Sequence, residues 1–239
     1  GHLPDDPARA AEQIFGRSQP EAYRFGEYAS CVAAPALETV VSEDRKTWKR
    51  LSARVRTQGK LPPSPAVSII VPLYGRIDFV EHQLIEFAKD SWILDNAEIL
   101  YVIDDPGILD QFITLAPQLY GAYRVPFRYV WGGRNRGYSG ANNLGAQHST
   151  GDLLLFLNSD AFPQGEGWLR ELTTALDDRP DAGAMGPRLV FADGSIQHAG
   201  MTFRYRDDLE IWTNHHPNMG LDPTLDPAGD RIVEMPAVT

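Results

Sequence analysis

The sequence has a single cysteine and no long apolar run. Cys31 is the only cysteine among 239 residues, which excludes an intrachain disulfide and favours a cytoplasmic location over a secreted one. Apolar runs such as Leu153 to Leu157 are much shorter than the ~20 residues that a membrane-spanning helix needs. The sequence therefore predicts no membrane span in this chain, and peripheral attachment to the inner membrane stays open.

Basic residues are also too few for binding to a polyanion. The chain has 22 Lys and Arg residues against 32 Asp and Glu residues, and its formal net charge is -10 at pH 7. Because nucleic-acid binding draws on clustered Lys and Arg that neutralise phosphates, this charge argues against a nucleic-acid partner. A phosphate-containing ligand would have to be held locally, by a bound cation or by a few arginines.

The first 60 residues differ in pattern from the rest of the chain. Prolines at positions 4, 7, 20 and 35 interrupt short helical stretches, and Ser42 to Gln58 is highly charged with little apolar spacing. We interpret residues 1–60 as a helical lead-in or linker, and packing of these residues as ordinary helices on the main domain is an equally good interpretation. Residues 61–239 hold all the candidate chemistry.

Strands and helices alternate after Pro65. Apolar runs predict buried strands at 66–73, 99–103, 127–131 and 153–157. Apolar residues at helical spacing predict helices near 77–88, 108–119 and 168–176, and a helix of small residues is predicted near 139–148, after a glycine-rich turn. One more strand is predicted at 182–191, and the residues from 207 onward are expected to form a long loop or flap. The alternation predicts an α/β fold with a mostly parallel, Rossmann-like sheet flanked by helices.

Polar residues follow each of the four predicted strands. In open α/β sheets, ligands bind in the crevice beyond the carboxyl ends of the strands, so we expect these four ends to converge on one cleft. The strand ends are Pro72-Leu73-Tyr74-Gly75-Arg76, Asp104-Asp105, Gly132 to Gly137, and Asn158-Ser159-Asp160.

Carboxylates at two of these strand ends are candidate ligands of a metal or a nucleotide. Asp160 either caps the following turn or helix, or holds a hard divalent ion together with substrate phosphates; its position beside the other strand ends favours the ion. Asp104 and Asp105 either terminate their strand as turn formers, or one accepts hydrogen bonds from a base or ribose while the other faces the metal.

The glycine-rich segment 133–143 contains Arg134, Arg136 and a helix start whose backbone N–H groups are available to an anion. Its glycines do not follow the dinucleotide-binding spacing G-x-G-x-x-G. A P-loop would need Lys and Ser/Thr where Tyr138 and Ser139 stand, so both NAD enzymes and P-loop NTPases are disfavoured. His198, His215 and His216 fit no zinc-binding spacing, and loop or surface positions are the simpler interpretation.

Four blocks taken together resemble family 2 glycosyltransferases of the GT-A fold. They are Val67 to Tyr74, the Asp104-Asp105 pair, Asn135 to Ala146, and Leu155 to Asp160. Each block is weak alone, but their order and spacing are specific, and the resemblance covers roughly residues 66–239. The segment Asp193 to Met201 also resembles a subgroup of bacterial members.

The resemblance implies inverting transfer of a sugar from a nucleoside-diphosphate sugar, of the UDP or dTDP type, to a glycan or another hydroxyl acceptor. A carboxylate deprotonates the acceptor, and a divalent metal, Mn²⁺ or Mg²⁺, stabilises the departing diphosphate. By similarity Asp160 holds the metal. The residues that would bind the nucleotide sugar are Pro72, Tyr74, Arg76, Asp104, Asp105, Arg136, Asn143, Asn158 and Ser159.

The sequence departs from the family pattern at two points. Asn158 occupies the first position of the DxD-type motif, and its amide oxygen is a weaker ligand than a carboxylate, so Asn158 either lowers metal affinity or contacts ribose. In family members the acceptor half, which carries the general base, follows the segment that ends here at Thr239. We therefore expect this chain to bind the donor and the base to lie beyond Thr239, in an incomplete domain.

Two other functions remain open. A sugar nucleotidyltransferase also uses a metal-binding carboxylate on such a sheet, although the glycine-rich first loop of that class is missing after the first strand. A catalytically inactive binding or scaffold module of a larger protein is the non-enzymatic alternative.

Overall fold

The computed structural model describes residues 3–18, 24–48, 51–229 and 231–237. Its helices are α1 (Pro7–Ser18), α2 (Phe25–Tyr28), α3 (Ala34–Trp48), α4 (Asp78–Lys89), α5 (Ser91–Asn96), α6 (Leu109–Tyr123), α7 (Gly137–Gln147) and α8 (Trp168–Asp177), with a π-helical turn at Ala29–Ala33 and a 3-10 turn at Pro223–Leu225. Its strands are β1 (Arg54–Gln58), β2 (Val67–Leu73), β3 (Ala97–Ile103), β4 (Phe127–Trp131), β5 (Leu153–Phe156), β6 (Leu189–Val190), β7 (Ile196–His198), β8 (Thr202–Arg206) and β9 (Ile211–His215).

The chain divides into two compact units. Residues 51–174, which we call the sheet unit, contain one five-stranded sheet in the order β1-β4-β3-β2-β5. Strands β2, β3, β4 and β5 run parallel to one another, and β1 pairs antiparallel with β4 at one edge. The expected α/β class with a mostly parallel sheet flanked by helices is confirmed.

The sheet unit buries both faces of its central strands. Side chains alternate along β2, so that Ile69 and Val71 pack with α4, α5 and α6 on one face while Ile70 packs with α7 on the other. Every residue of β3 is buried, as expected for a central parallel strand. Helix α7 approaches the sheet closely at Gly145, where an added Cβ would lie 2.4 Å from Ile70 Cγ2. The core thus fixes the carboxyl ends of these strands on a rigid scaffold.

Three secondary-structure expectations are corrected. The strand Arg54–Gln58 falls in the segment expected to be helical; its two arginines are exposed at the sheet edge, a position where charged side chains are common and where apolar periodicity is weak. The strand expected at 182–191 is reduced to Leu189–Val190, because residues 182–188 make no strand pairing. The loop expected from 207 onward instead contains β9, which pairs with β8.

The other unit comprises the described parts of residues 1–50 and 175–239. Helix α1 packs on α3, and the two antiparallel pairs are β6 with β7 and β8 with β9. Near the C-terminus an isolated bridge joins Ala237 to Met201. Across the described parts of the chain, none of the helices combines the length and the apolar character needed to cross a bilayer.

A buried ionic network ties together the strands of the sheet unit. Glu98 on β3 is 1% exposed, accepts a hydrogen bond from Ser68 Oγ at 2.6 Å and from Arg128 Nη1 at 3.0 Å, and also accepts one from the Thr150 backbone amide. Burial raises the pKa of Glu98, but these donors outweigh it and leave the pKa below its ordinary value. Glu98 is therefore ionised in the folded chain and joins β2, β3, β4 and the loop before β5.

Replacing Glu98 with alanine is expected to lower the free energy of unfolding by about 3–5 kcal/mol, because it leaves the half-buried Arg128 guanidinium without its negatively charged partner. Since the pKa of Glu98 is depressed on folding, its stabilisation is present above the unfolded pKa and is lost as pH falls through the folded one. Urea unfolding of Glu98→Ala and the parent at pH 7 measures the difference; a change below 1 kcal/mol would contradict this role.

Candidate functional site at the carboxyl edge of the sheet

The carboxyl ends of the parallel strands lie along one edge of the sheet. Leu73, Ile103 and Trp131, the last residues of β2, β3 and β4, are in register with one another. Strand β5 continues past Phe156 through a bond from the Leu157 amide to the Ile70 carbonyl at 2.9 Å. The residues after β3 and after β5 flank the end of β2, and two strand spacings of ~4.8 Å separate β3 from β5.

Asp105 holds the turn that follows β2. Its Oδ2 accepts a hydrogen bond from the Gly75 amide at 3.1 Å, and its Oδ1 accepts one from the Gly107 amide at 2.7 Å. Gly75 has a φ of +70°, a conformation that favours glycine. Beside it, the Tyr74 side chain is 67% exposed at the edge. Asp105 therefore acts as a turn former, one of the two expected roles, and fixes the base of the Tyr74 loop.

Asp104 is buried at the end of β3 and faces the loop that follows β4. Only 4% of it is exposed, and its Oδ1 accepts a hydrogen bond from the Arg136 amide at 2.7 Å. Burial raises the pKa of Asp104 to about 6, against the opposing effects of the Arg136 and Gly137 amides and of the Arg136 charge. The Asp104 carboxyl is therefore expected to ionise at a higher pH than a free aspartate.

The start of α7 is closed by its own loop. The Arg136 amide points to Asp104 and the Gly137 amide donates to Asn135 Oδ1 at 2.8 Å, so these two N–H groups are not directed at an anion as the sequence suggested. The Arg136 side chain folds back and donates from Nη2 to the Gly132 carbonyl at 2.8 Å. Burial lowers the pKa of Arg136, and Asp104 opposes that shift. The structure brings Asp104 and Arg136 together.

Asp160 lies in a tight turn after β5 and is exposed. The turn closes with a hydrogen bond from the Ala161 amide to the Asn158 carbonyl at 3.2 Å. Among the described residues nothing donates a hydrogen bond to the Asp160 carboxylate, and the next helix begins only at Trp168. The Asp160 side chain therefore caps neither the following turn nor a helix, which was the structural alternative for this residue.

A divalent ion at this edge would draw on few protein ligands. No group of three or more His, Cys, Asp or Glu side chains suited to a metal occurs among the residues described. Mg²⁺ and similar hard ions are commonly held by one or two carboxylates together with substrate phosphates and water. The exposed and uncommitted carboxylate of Asp160 fits that mode of binding, in which the ligand completes the coordination shell.

The remaining predicted site residues lie within β2, near the start of α4, on α7 and in the turn after β5. Arg76 binds the Asp78 carboxylate through Nε at 3.0 Å and Nη2 at 2.5 Å and lies 4.2 Å from the centroid of the Phe79 ring, so its guanidinium is held at the start of α4. Asn143 is exposed on α7, and Pro72 is half-buried inside β2. In the turn after β5, Asn158 is exposed and Ser159 is half-buried.

Sequence reasoning missed Gln83, whose side chain holds the Asp160 turn through hydrogen bonds to the backbone. This fully buried side chain of α4 donates from Nε2 to the carbonyls of Asn158 at 3.0 Å and Ala161 at 3.2 Å. The signal was available, because Gln83 is a polar residue on the helix face that carries Val80, Leu84 and Phe87.

His198 and His216 form a pair in the unit that contains β7 and β9. His198 Nδ1 lies 3.0 Å from His216 Nδ1, and the ring centroids are 5.2 Å apart. This separation places the two nitrogens almost in line between the rings, the geometry of a shared hydrogen bond and not of two ligands converging on one ion. Burial and then the neighbouring His216 lower the pKa of His198.

The histidine pair is expected to make the stability of the fold depend on pH. Because the folded pKa of His198 is depressed, its contribution to stability is present above the unfolded pKa of ~6.5 and is lost as pH falls through the folded value. We expect the unfolding temperature to fall between pH 7 and pH 5, and to fall less in His216→Gln than in the control His215→Gln. Equal pH dependence in the two variants, measured by thermal scans, would show that the pair has no such effect.

Comparison with known proteins supplies a family for this arrangement. Residues 68–222 match the glycosyl transferase family 2. The O-antigen biosynthesis protein RfbC of Myxococcus xanthus is 32% identical over 145 residues, and the uncharacterized protein y4gI of Sinorhizobium fredii is 30% identical over 138 residues, each covering 58% of this chain. The matches span 10% and 15% of those two proteins, so this chain corresponds to a small part of either.

Two solved structures match this chain at low identity and with TM-scores below 0.5. The mannosyltransferase PcManGT from Pyrobaculum calidifontis, in complex with GDP-Man and Mn²⁺, is 20% identical with a TM-score of 0.44, over 68% of this chain and 45% of that one. S. aureus TarS 1-349 in complex with UDP-GlcNAc is 20% identical with a TM-score of 0.40, over 53% and 38%. The match to the family over residues 68–222 establishes that the chain belongs to glycosyl transferase family 2.

Proposed function

We propose that the sheet unit binds a nucleoside-diphosphate sugar, of the UDP or dTDP type, as the donor for inverting glycosyl transfer to a glycan or another hydroxyl acceptor. The observation that carries the proposal is the exposed, uncommitted Asp160 carboxylate at the same sheet edge as the buried Asp104 and the exposed Tyr74, in a chain of this family. Ligands of open parallel sheets bind at this edge.

The nucleoside is assigned to the end of β3 and the turn after β2. The Asp104 carboxyl accepts hydrogen bonds from N–H or O–H groups of the base or ribose, and the exposed Tyr74 ring offers a stacking surface. Asp105 fixes the Tyr74 turn through the Gly75 amide, so the surface is formed before the ligand arrives. The proposed contacts of this part of the site also include Pro72, Arg76, Arg136 and Asn143.

The diphosphate is assigned to the turn after β5. Asp160 would hold Mn²⁺ or Mg²⁺, with Asn158 and Ser159 as neighbouring oxygen ligands or ribose contacts. When bound, the ion neutralises charge on the departing diphosphate. Asp160 thereby orients the sugar phosphate relative to the nucleoside bound near Asp104. We infer that the acceptor is a growing bacterial polysaccharide, on the basis of the relative named for O-antigen biosynthesis.

Calorimetric titration tests the donor site directly. The chain is titrated with UDP, dTDP, UDP-GlcNAc and GDP-mannose, each with and without Mn²⁺. We expect binding of at least one UDP or dTDP compound, tightened about tenfold or more by the metal, because an ion held by Asp160 would offset the negative charge of the phosphates. Absence of binding across the panel would contradict the proposal, and pyrophosphate release from a sugar phosphate with a nucleoside triphosphate would indicate a nucleotidyltransferase instead.

A further inference from the structure

We propose that Gln83 is a positioning residue for the Asp160 turn and holds the backbone of this turn from the buried interior of the sheet unit. This inference rests on the proposed donor site for its functional consequence. One buried amide holds both ends of the turn, and this depends only on the contacts of Gln83. Gln83 touches neither nucleotide nor metal in this account and acts through the backbone of residues 158–161.

The contacts of Gln83 bracket the turn. Its Nε2 donates to the Asn158 carbonyl at 3.0 Å and to the Ala161 carbonyl at 3.2 Å, so the two hydrogens of one amide bind the first and last residues of the turn. The backbone bond from the Ala161 amide to the Asn158 carbonyl, at 3.2 Å, closes the same segment. Ser159 and Asp160 occupy the two middle positions, and neither side chain is hydrogen-bonded to another of the described residues.

Burial and an unsatisfied acceptor indicate that Gln83 does not serve stability alone. Gln83 is fully buried on a helix face that is otherwise apolar, and among the described residues its Oε1 has no hydrogen-bond partner. A buried acceptor without a partner costs free energy, and an apolar side chain of similar size would remove that cost. A residue that is unfavourable for packing but fixes a turn with an uncommitted carboxylate is expected where geometry matters for binding.

The expected consequence concerns the metal-dependent part of nucleotide binding. A carboxylate ligand must be held within about 0.5 Å of its working position, and loss of an outer-shell partner typically lowers metal affinity about 10–100-fold. Gln83→Met keeps the volume and removes both donors. We expect it to lower nucleotide affinity measured with Mn²⁺ about 10–100-fold, to leave the metal-free affinity unchanged, and to keep or raise the unfolding temperature.

Two further variants separate positioning from a general packing effect. Gln83→Glu keeps the shape but places carboxylate oxygens against the two carbonyls, and it should show the same loss of metal-dependent affinity. Gln118→Met is the matched control, because Gln118 is exposed on α6 and donates only to the Thr114 carbonyl of its own helix, at 3.2 Å. The control should bind like the parent protein.

Hydrogen exchange of the turn provides a readout that needs no ligand. Amide exchange of residues 159–162 should accelerate at least tenfold in Gln83→Met, while the amides of β3 keep their protection. Faster exchange together with loss of the metal effect supports the proposal. Unchanged exchange, or faster exchange with the metal effect intact, overturns it. If the parent protein binds no nucleotide, the donor site fails, and exchange alone decides whether Gln83 anchors the turn.

Discussion

Asp160→Ala is expected to abolish the tightening of nucleotide binding by Mn²⁺ while leaving metal-free binding in place. Hydrogen bonds and contacts to charged groups contribute about 1.5–3 kcal/mol, which corresponds to about 10–100-fold in affinity. The carboxylate is exposed and accepts no hydrogen bond from the described residues, so its removal should not disturb the fold. Calorimetric titration with and without Mn²⁺ measures the effect.

Asp152→Ala is the matched control for this prediction. Asp152 is an exposed aspartate just before β5, and Asp160 follows the same strand. The two residues therefore lie beyond opposite ends of β5. Both substitutions change the net charge equally. A similar loss of affinity in both variants would attribute the effect to overall charge, and an intact metal effect in Asp160→Ala would contradict the assignment of Asp160 as the metal ligand.

Asp104→Asn is expected to weaken nucleotide binding about 10–100-fold without destabilising the fold at pH 8. The asparagine oxygen can still accept the Arg136 amide, which lies 2.7 Å from Asp104 Oδ1, but it offers no charge to the base or ribose. Above pH 6 the parent protein pays for burying an ionised carboxyl, whose pKa is raised to about 6 by burial, and the variant does not. Loss of binding and gain of stability are thus expected together.

The effect of Asp104→Asn on stability is expected to depend on pH. Asp104 has a folded pKa of about 6, above its ordinary value of 3.8, so its stabilising contribution is complete below pH ~4 and is lost as pH rises through 6. Asp104→Asn should therefore gain stability relative to the parent as pH rises from 4 to 7, by about 1–2 kcal/mol after allowance for screening by water. Denaturant unfolding at pH 4.5 and pH 8 measures the gain; a variant that is less stable at pH 8 contradicts this account.

The central strands could be predicted from the sequence because they are buried on both faces. Such strands appear as continuous apolar runs, and Val67–Leu73 and Phe127–Trp131 fall where these runs predict them. The edge strand Arg54–Gln58 has no such run, because only one of its faces meets the core and its arginines are exposed. Edge strands depend on a partner elsewhere in the chain, here β4, which a local pattern does not identify.

For the candidate site, the sequence predicted where the residues lie but not which contacts they make. Topology alone brought Asp104, Asp105 and the Asp160 turn to one sheet edge, because parallel strands end together. The sequence did not reveal that Asp105 is engaged by the Gly75 and Gly107 amides, since these bonds cross between loops that follow different strands. Gln83 was missed because its partners are backbone carbonyls 75 and 78 residues away.

The position of a bound Mn²⁺ ion tests the central claim most directly. Anomalous diffraction from crystals of this chain grown with UDP and Mn²⁺ locates the ion without assumptions about the surrounding density. The account predicts an ion within coordination distance of an Asp160 carboxylate oxygen and a nucleoside in contact with Asp104 and Tyr74. An ion bound away from Asp160, or a nucleotide away from the carboxyl ends of β2 and β3, would contradict it.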